Sequence, residues 1–515
     1  MILFLKDHPR LSAFLLCLIS SVLLVSSFPK IDCGPLIWFA LVPWMFAIDG
    51  KRKRAAFGWS FLTGFIFYLG AIYWFMYVTW VGAVLLMAYL ALYFGAFGWV
   101  YRYSCGLSLG RKIIVCSSFW VVFEYTREHF LSGFGWVALC HSQYQNLALI
   151  QVVDITGIYG ISFLIVAVNV LVKENVSFIL GSSRQERKTL FTMNMIVLGV
   201  LLAAYGYGFW RIASAPALPS LKVAVVQGNI AQEDKWVIGN RTATIKKYLR
   251  LTQEAMKDSP DLVIWPETAF PGFIEEMPHL MDEIRAFARD SGVPIVLGVV
   301  TEEGDRFYNS AQLISAQGEF TDRYDKVHLV PFGEFLPLRK QLPFLGDLVP
   351  IDDFSSGREA KVLRLPVGGK EARFSVAVCF EDTLAYIARR FVRGGAEFLV
   401  NITNDAWFLD SKEPFMHLQA AVFRTIETRR SLVRSANTGV SCHIDPYGRI
   451  LGYVRNSQGK KTYVDGSATF NVALNTTETV YTKFGDVFTY LCFVCILWTV
   501  LKRRIRRDST VKLRS

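Results

Sequence analysis

The sequence predicts a polytopic α-helical membrane bundle of eight transmembrane helices that carries an extracytoplasmic α/β domain. Three observations lead there. Hydrophobic residues make up 52% and aromatic residues 14% of the 515 positions, high for a soluble chain. That excess lies in roughly the first 210 and the last 30 residues, whereas the middle has an ordinary globular composition. In the middle, short apolar, valine-rich runs alternate with stretches of helical period, the pattern of a layered α/β domain.

Met1–Arg10 is short and basic, and Leu11–Ser27 is apolar. A secretory signal would look similar, but more apolar segments follow, so the run reads as a first membrane anchor. The next segments are Gly34–Ile48, Ala55–Tyr77, Val81–Tyr101, Ile113–Phe130, Leu147–Val172 and Leu190–Phe209, and the last is Val487–Leu501. Several approach the ~20 residues that cross hydrocarbon. Lys51–Arg54, Arg102 with Arg111 and Lys112, Arg184 with Arg187 and Lys188, and Lys502–Arg504 with Arg506 and Arg507 stand at every second boundary. Cytoplasmic loops are the ones enriched in lysine and arginine, so both termini are expected inside and the middle domain outside. The expected domains are 1–212 with seven helices, 213–483 as the extracytoplasmic catalytic domain, and 484–515 as the eighth helix and a basic tail. Glu124, Arg127, Glu128 and His129 in the fifth span, and Gln151, Asp154 and Asn169 in the sixth, are candidates either for function or for pairing between helices.

A formal charge of +12 raises the question of nucleic acid. The basic residues cluster beside apolar runs, so loop topology and anionic headgroups account for them, and no nucleic-acid partner is expected. None of the nine cysteines has paired metal-ligand spacing, and Cys492 and Cys495 fall inside an apolar run; no metal and no cofactor are expected.

In the exterior domain Leu221–Gln227, Leu262–Trp265, Pro294–Val300, Asn309–Ile314, Phe320–Tyr324, Phe374–Val378, Glu397–Ile402, Leu432–Ser435 and Val440–Ile444 read as strands, with two more before Leu474. Ile245–Lys257, Leu280–Arg289 and Met416–Arg430 read as helices, and Asp382 is placed to cap another through Ile387–Phe391.

Three strand ends carry polar groups: Trp265-Pro266-Glu267-Thr268, Cys379-Phe380-Glu381-Asp382 and Asn401–Asp405. Chemistry in open α/β sheets gathers beyond such ends. The loop Tyr324–Glu334 adds Lys326 and His328. Cys379 stands at a strand-to-helix elbow, where the helix dipole and free N–H groups favour a thiolate. Acyl transfer through a thiol requires a nucleophile, a proton acceptor and a positive group for the oxyanion. Cys379, a carboxylate and Lys326 meet that need. For the proton acceptor, chemistry alone ranks His328 above Glu267, because a Cys–His pair is the commoner arrangement. A disulfide between Cys379 and Cys442 is the structural rival in an oxidising compartment. His417 and His443 read as structural or surface residues.

Glu267 in Trp-Pro-Glu, Lys326 in Asp-Lys-Val-His-Leu-Val-Pro-Phe-Gly-Glu-Phe and Cys379 in Val-Cys-Phe-Glu resemble the triad of the nitrilase superfamily, which sits on an αββα sandwich. With the apolar segments, Gln227-Gly228-Asn229, Trp236 and Asn404-Asp405-Ala406-Trp407-Phe408, nearly the whole chain resembles the apolipoprotein N-acyltransferase family. That resemblance implies a ping-pong reaction at the outer face of the bacterial inner membrane. Cys379 would take an acyl chain from a phospholipid, typically phosphatidylethanolamine, with Glu267 as base and Lys326 on the oxyanion. The thioester would then pass to the α-amine of a diacylglyceryl-cysteine apolipoprotein. Glu334 and Glu381 match supporting acids, and Trp236 matches a substrate-lining residue. Phe380 stands where the family often has tyrosine, so it offers a ring and no hydroxyl to substrate. The stretch Phe332–Phe344 is expected to act as a mobile arm at the membrane. A membrane-tethered nitrilase or amidase that hydrolyses a small C–N substrate uses the same triad and is the alternative; a transporter or scaffold is the non-enzymatic one.

Overall fold

The computed structural model describes residues 8–512 except 132, 184, 332, 336–338 and 340–352, with side chains described as far as 502. The expected arm at Phe332–Phe344 therefore lies outside the described residues except at 333–335 and 339. Two compact units emerge, Met1–Ser214 with Phe484–Ser515, and Ala215–Lys483.

The first unit contains α1 (Pro9–Ser26), α2 (Val42–Ile48), α3 (Lys53–Ile72), α4 (Trp80–Ser104), α5 (Leu109–His129), α6 (Tyr159–Ile179), α7 (Arg187–Ala213) and a C-terminal helix, Val487–Lys512. Among the described residues five helical segments are long and apolar enough to cross a membrane: Pro9–Ser26, Lys53–Tyr77, Trp80–Ser104, Ile158–Ile179 and Arg187–Ala213. The expected second segment is broken into a 3₁₀ turn, Gly34–Trp38, and α2. Asn169 of α6 spans the break, accepting from the Leu41 N–H at 2.8 Å and donating to the Ile37 carbonyl at 2.9 Å. The polar side chain in the apolar helix thus satisfies backbone that a continuous helix would have satisfied itself.

The expected sixth span is displaced. Leu147–Ile150 and Val153–Thr156 are single turns, the chain passes Gly157 at φ +62°, and the long helix is α6. Gln151 and Asp154 consequently precede it. Asp154 accepts from Tyr207 Oη at 2.9 Å and pairs with Arg211. On α5, Glu124 accepts from Trp120 Nε1 at 2.8 Å and the Leu139 N–H at 2.9 Å, Arg127 donates to Tyr68 Oη at 2.9 Å, and Glu128 accepts from Tyr159 Oη. These buried polar groups hold the helices of their own unit to one another.

The second unit is built on β1 (Ser220–Gln227), β2 (Leu262–Ile264), β3 (Ile295–Glu303), β4 (Arg306–Ile314), β5 (Phe320–Asp325), β6 (Leu363–Val367), β7 (Lys370–Val378), β8 (Phe398–Thr403), β9 (Ser431–Ala436), β10 (Cys442–Ile444), β11 (Ile450–Tyr453) and β12 (Gly466–Ala473). They form two six-stranded sheets, ordered β12-β1-β2-β3-β4-β5 and β11-β10-β9-β8-β7-β6. In each sheet three consecutive strands are parallel, β1-β2-β3 in one and β7-β8-β9 in the other. Parallel neighbours need crossovers, and these are helices: α8 (Arg241–Ala255) and α9 (Pro278–Ser291) in the first half, α10 (Ala385–Arg393) and α11 (Glu413–Thr428) in the second. Ile245, Tyr248 and Leu251 of α8 and Leu280, Met281 and Ile284 of α9 pack with Val263 and Leu297 in one buried cluster. Between the sheets Ser435 Oγ of β9 donates to the carbonyls of Val226 and Ile264, each at 3.1 Å. The layering is αββα, a nitrilase-like fold. It also sets both groups of parallel strands to end beside one another.

Candidate active site

Glu267 follows β2, Cys379 follows β7, Asn404 follows β8 and Lys326 follows β5. Parallel pairing of Val378 with Ile402 puts Cys379 and the β8 terminus at the same sheet edge. The Asn404 N–H then donates across the sheet interface to Glu267 Oε2 at 2.8 Å. The other oxygen, Oε1, accepts from Asn309 Nδ2 at 2.7 Å, so both carboxylate oxygens are fixed. Asn309 Nδ2 also reaches Glu334 Oε1 at 2.9 Å, and Glu334 holds Lys326 Nζ at 2.8 Å. Gly298 of β3 makes room for this loop: a Cβ there would come within 2.4 Å of the Thr268 nitrogen and 2.6 Å of the Glu267 Cα.

Cys379 is half-buried and adopts φ +55°, a left-handed conformation that costs an L-residue about 1–2 kcal/mol. Its carbonyl is held by Asn401 Nδ2 at 3.0 Å and His417 Nε2 at 3.2 Å, which secures the strained elbow. Glu267 and Lys326 are both charged neighbours of the sulfur. Burial and the Glu267 charge push the thiol well above its ordinary value, with Lys326 opposing. Burial and the Glu267 charge thus act against the thiolate expected at the helix terminus, which here is a single 3₁₀ turn, Cys379–Thr383. Burial pulls Lys326 down, but Glu334, Cys379 and Glu267 outweigh it, so the ammonium is held above its usual range.

His328 lies elsewhere in the network. Its Nδ1 meets Tyr386 Oη at 2.7 Å and its ring packs on Phe380 at 5.6 Å between centroids. Glu267, ranked second on chemistry alone, is the charged group that acts most strongly on the sulfur. Cys379 and Cys442 are free thiols, so the expected rival disulfide does not form.

Two family profiles match the chain, the apolipoprotein N-acyltransferase N-terminal domain over residues 20–171 and the carbon-nitrogen hydrolase domain over residues 222–476. An apolipoprotein N-acyltransferase of Geobacter metallireducens is 38% identical over 499 residues, covering 93% of each chain. The chain belongs to the apolipoprotein N-acyltransferase family. A second member, from Methylococcus capsulatus, is 34% identical over 371 residues, 71% of this chain and 70% of its own. Among solved structures an amidase from Nesterenkonia sp. aligns over 51% of this chain and 94% of its own, with 18% identity and a TM-score of 0.38.

In this family member Glu381 ties the nucleophile elbow to the lysine loop. It accepts from the Val378 N–H at 2.8 Å, the Val327 N–H at 2.9 Å, the His328 N–H at 3.0 Å and Tyr324 Oη at 2.8 Å. Burial nevertheless raises it to about 7. Because the folded value exceeds the unfolded one, Glu381 binds its proton more tightly in the folded chain. Its contribution to stability is fully present below the unfolded pKa of about 4.3 and is lost as pH rises through 7. Difference infrared spectra should show a protonated carboxyl band that disappears near neutral pH and is missing in Glu381→Gln. That variant also sets an amide N–H₂ against backbone donors and should lose about 2–3 kcal/mol of stability.

Phe380 is 4% exposed and lies against the His328 ring, whereas Trp236 is 43% exposed. Asp382 caps no helix. Thr383 is followed by Leu384 as the uncapped start of α10, and Asp382 instead pairs with buried Arg434 and, at 2.6 Å, with His417 Nε2. His417 also faces Asp405, at 3.5 Å from Nδ1. Asn309 and Lys235 were missed by sequence reading. Asn309 has no local signature, since Ser310 and Gln312 of the same strand are polar and buried too; Lys235 adjoins Trp236 in a short polar turn.

Proposed function

We propose that this chain transfers an acyl chain from a membrane phospholipid, phosphatidylethanolamine foremost, to the α-amine of a diacylglyceryl-cysteine apolipoprotein through a thioester on Cys379. One observation carries the reading. A cysteine thiol, a carboxylate fixed through both oxygens and a buried lysine converge at the strand ends of a chain that also has membrane-length apolar helices.

Glu267 takes the Cys379 proton as the sulfur attacks the ester carbonyl. Lys326, with the backbone N–H after the cysteine, holds the tetrahedral oxyanion. The C–O bond breaks, Glu267 protonates the departing alkoxide, and the lysophospholipid leaves. The acceptor amine then attacks the thioester; Glu267 takes a proton from its nitrogen as the C–N bond forms, the C–S bond breaks, and Glu267 passes that proton to the departing sulfur. Glu334 keeps Lys326 aimed, Glu381 holds the elbow, and Trp236 and Phe380 serve the acyl path. Eight spans with both termini in the cytoplasm would set domain 213–483 on the periplasmic face of the inner membrane. Both amphiphilic substrates reach it there.

Labelled phospholipid should leave its acyl group on the protein as a hydroxylamine-labile adduct, lost in Cys379→Ser. An amine-bearing diacylglyceryl peptide should discharge the adduct faster than water does. Retention of the thioester-type adduct in Cys379→Ser would move the nucleophile elsewhere, and discharge by water alone would make the chain a hydrolase.

A further inference from the structure

The site holds a second lysine that the reaction above does not use. Lys235 is only 3% exposed. Its Nζ donates to the main-chain carbonyl of Glu267 at 3.1 Å and to Thr268 Oγ1. Thr268 sits at φ +45°, so these contacts pin a strained loop. One turn earlier, Gln232 Oε1 accepts from Asn404 Nδ2 at 2.9 Å, and the Asn404 N–H is the one bound to Glu267 Oε2. The Gln232–Lys235 turn therefore grips Glu267 from two directions.

Charge makes the same point. A buried ammonium without a counter-ion is costly, yet no carboxylate lies within ion-pair distance of Lys235 among the described residues. Its charged neighbours are Glu267 and Cys379. Lys326 is already engaged by Glu334. Lys235 and Lys326 therefore share the positive charge that faces Glu267, and Lys235 is the one with no carboxylate of its own in ion-pair contact among the described residues. Without a cation, a buried carboxylate takes up a proton and ceases to be a base.

We infer that Lys235 is a positioning residue for acyl transfer, fixing the Glu267 loop and setting a positive charge beside its carboxylate. This rests on the base role given to Glu267 above. Burial draws Lys235 down to about 8, which leaves it charged at neutral pH.

The full-length protein is compared with Lys235→Gln, which keeps an N–H donor but no charge, and Lys235→Arg, which keeps the charge. Two rates are followed against pH: thioacyl formation from labelled phosphatidylethanolamine, and iodoacetamide alkylation of Cys379 located by mass spectrometry, which needs no lipid. In Lys235→Gln the acid limb of both profiles should rise by about one pH unit, the equivalent of a tenfold change in the base equilibrium. The fall in thioacyl formation should lie in kcat, with KM little changed. In Lys235→Arg the limb should stay in place. An unmoved limb in the glutamine variant, whatever its rate, overturns the inference. Should that variant not fold, the arginine variant decides: a limb held at the wild-type position supports the role of charge, and a displaced limb refutes it. If the alkylation limb moves while wild-type protein forms no lipid adduct, the acyl-donor assignment fails and the role of Lys235 stands.

Discussion

Glu267→Gln is expected to slow thioacyl formation by about 10³-fold near neutral pH, within the range of a lost general base. The size follows from the state of the nucleophile. Cys379 is held protonated by burial and by Glu267 itself, so no standing pool of thiolate can substitute for the base. Glutamine also replaces one acceptor oxygen by a donor, and both positions face N–H groups, from Asn309 and from Asn404. His328→Ala, which removes a contact to Tyr386, should stay within about threefold of wild type because it abolishes no proton transfer. Single-turnover acyl labelling measures both, and the reverse ranking would return the base role to His328.

Arg434→Met is expected to lower the stability of the second unit by about 3–5 kcal/mol, the usual cost of breaking a buried pair from one side. Arg434 is fully buried on β9 and pairs with Asp382, itself 2% exposed. His417, raised to about 10 because Asp382 and Asp405 outweigh its burial, supplies a second cation, so the loss should fall short of unfolding. For a unit of this size the melting point should drop by about 10 °C, read by thermal unfolding of the intact protein in detergent. Adding Asp382→Leu should recover part of that loss, since it removes the carboxylate left with His417 as its one cation among the described residues, while His417 keeps Asp405. A double variant as unstable as Arg434→Met would assign the loss to packing.

A layered α/β domain was legible because its strands are short, apolar and separated by helical runs, and those patterns are local; the αββα stacking came only from the family resemblance. The strand-end Glu267 and Cys379 were legible for the same reason: a polar residue just past a buried strand stands out. β6 escaped notice although Leu363 and Leu365 alternate with exposed Arg364 and the glycine turn Gly368–Gly369 joins it to β7. Pro366 inside the run disguised a strand that pairs on one side only, at the end of its sheet. The broken second span was hidden because its hydropathy is continuous, while the hydrogen bonds that permit the break come from Asn169, more than a hundred residues away.

By itself the sequence determined which segments are apolar, where strands stop, and that a glutamate, a lysine and a cysteine stand at the ends or loops of a sheet. Only the folded chain decided that the Glu267 charge bears on the sulfur, that burial raises the thiol, and that Asp382 answers Arg434 rather than a helix end. Propensity and periodicity act between neighbours along the chain. The charge state of a buried group depends on what the opposite sheet brings to within a few ångströms, and that is settled only when the two sheets close.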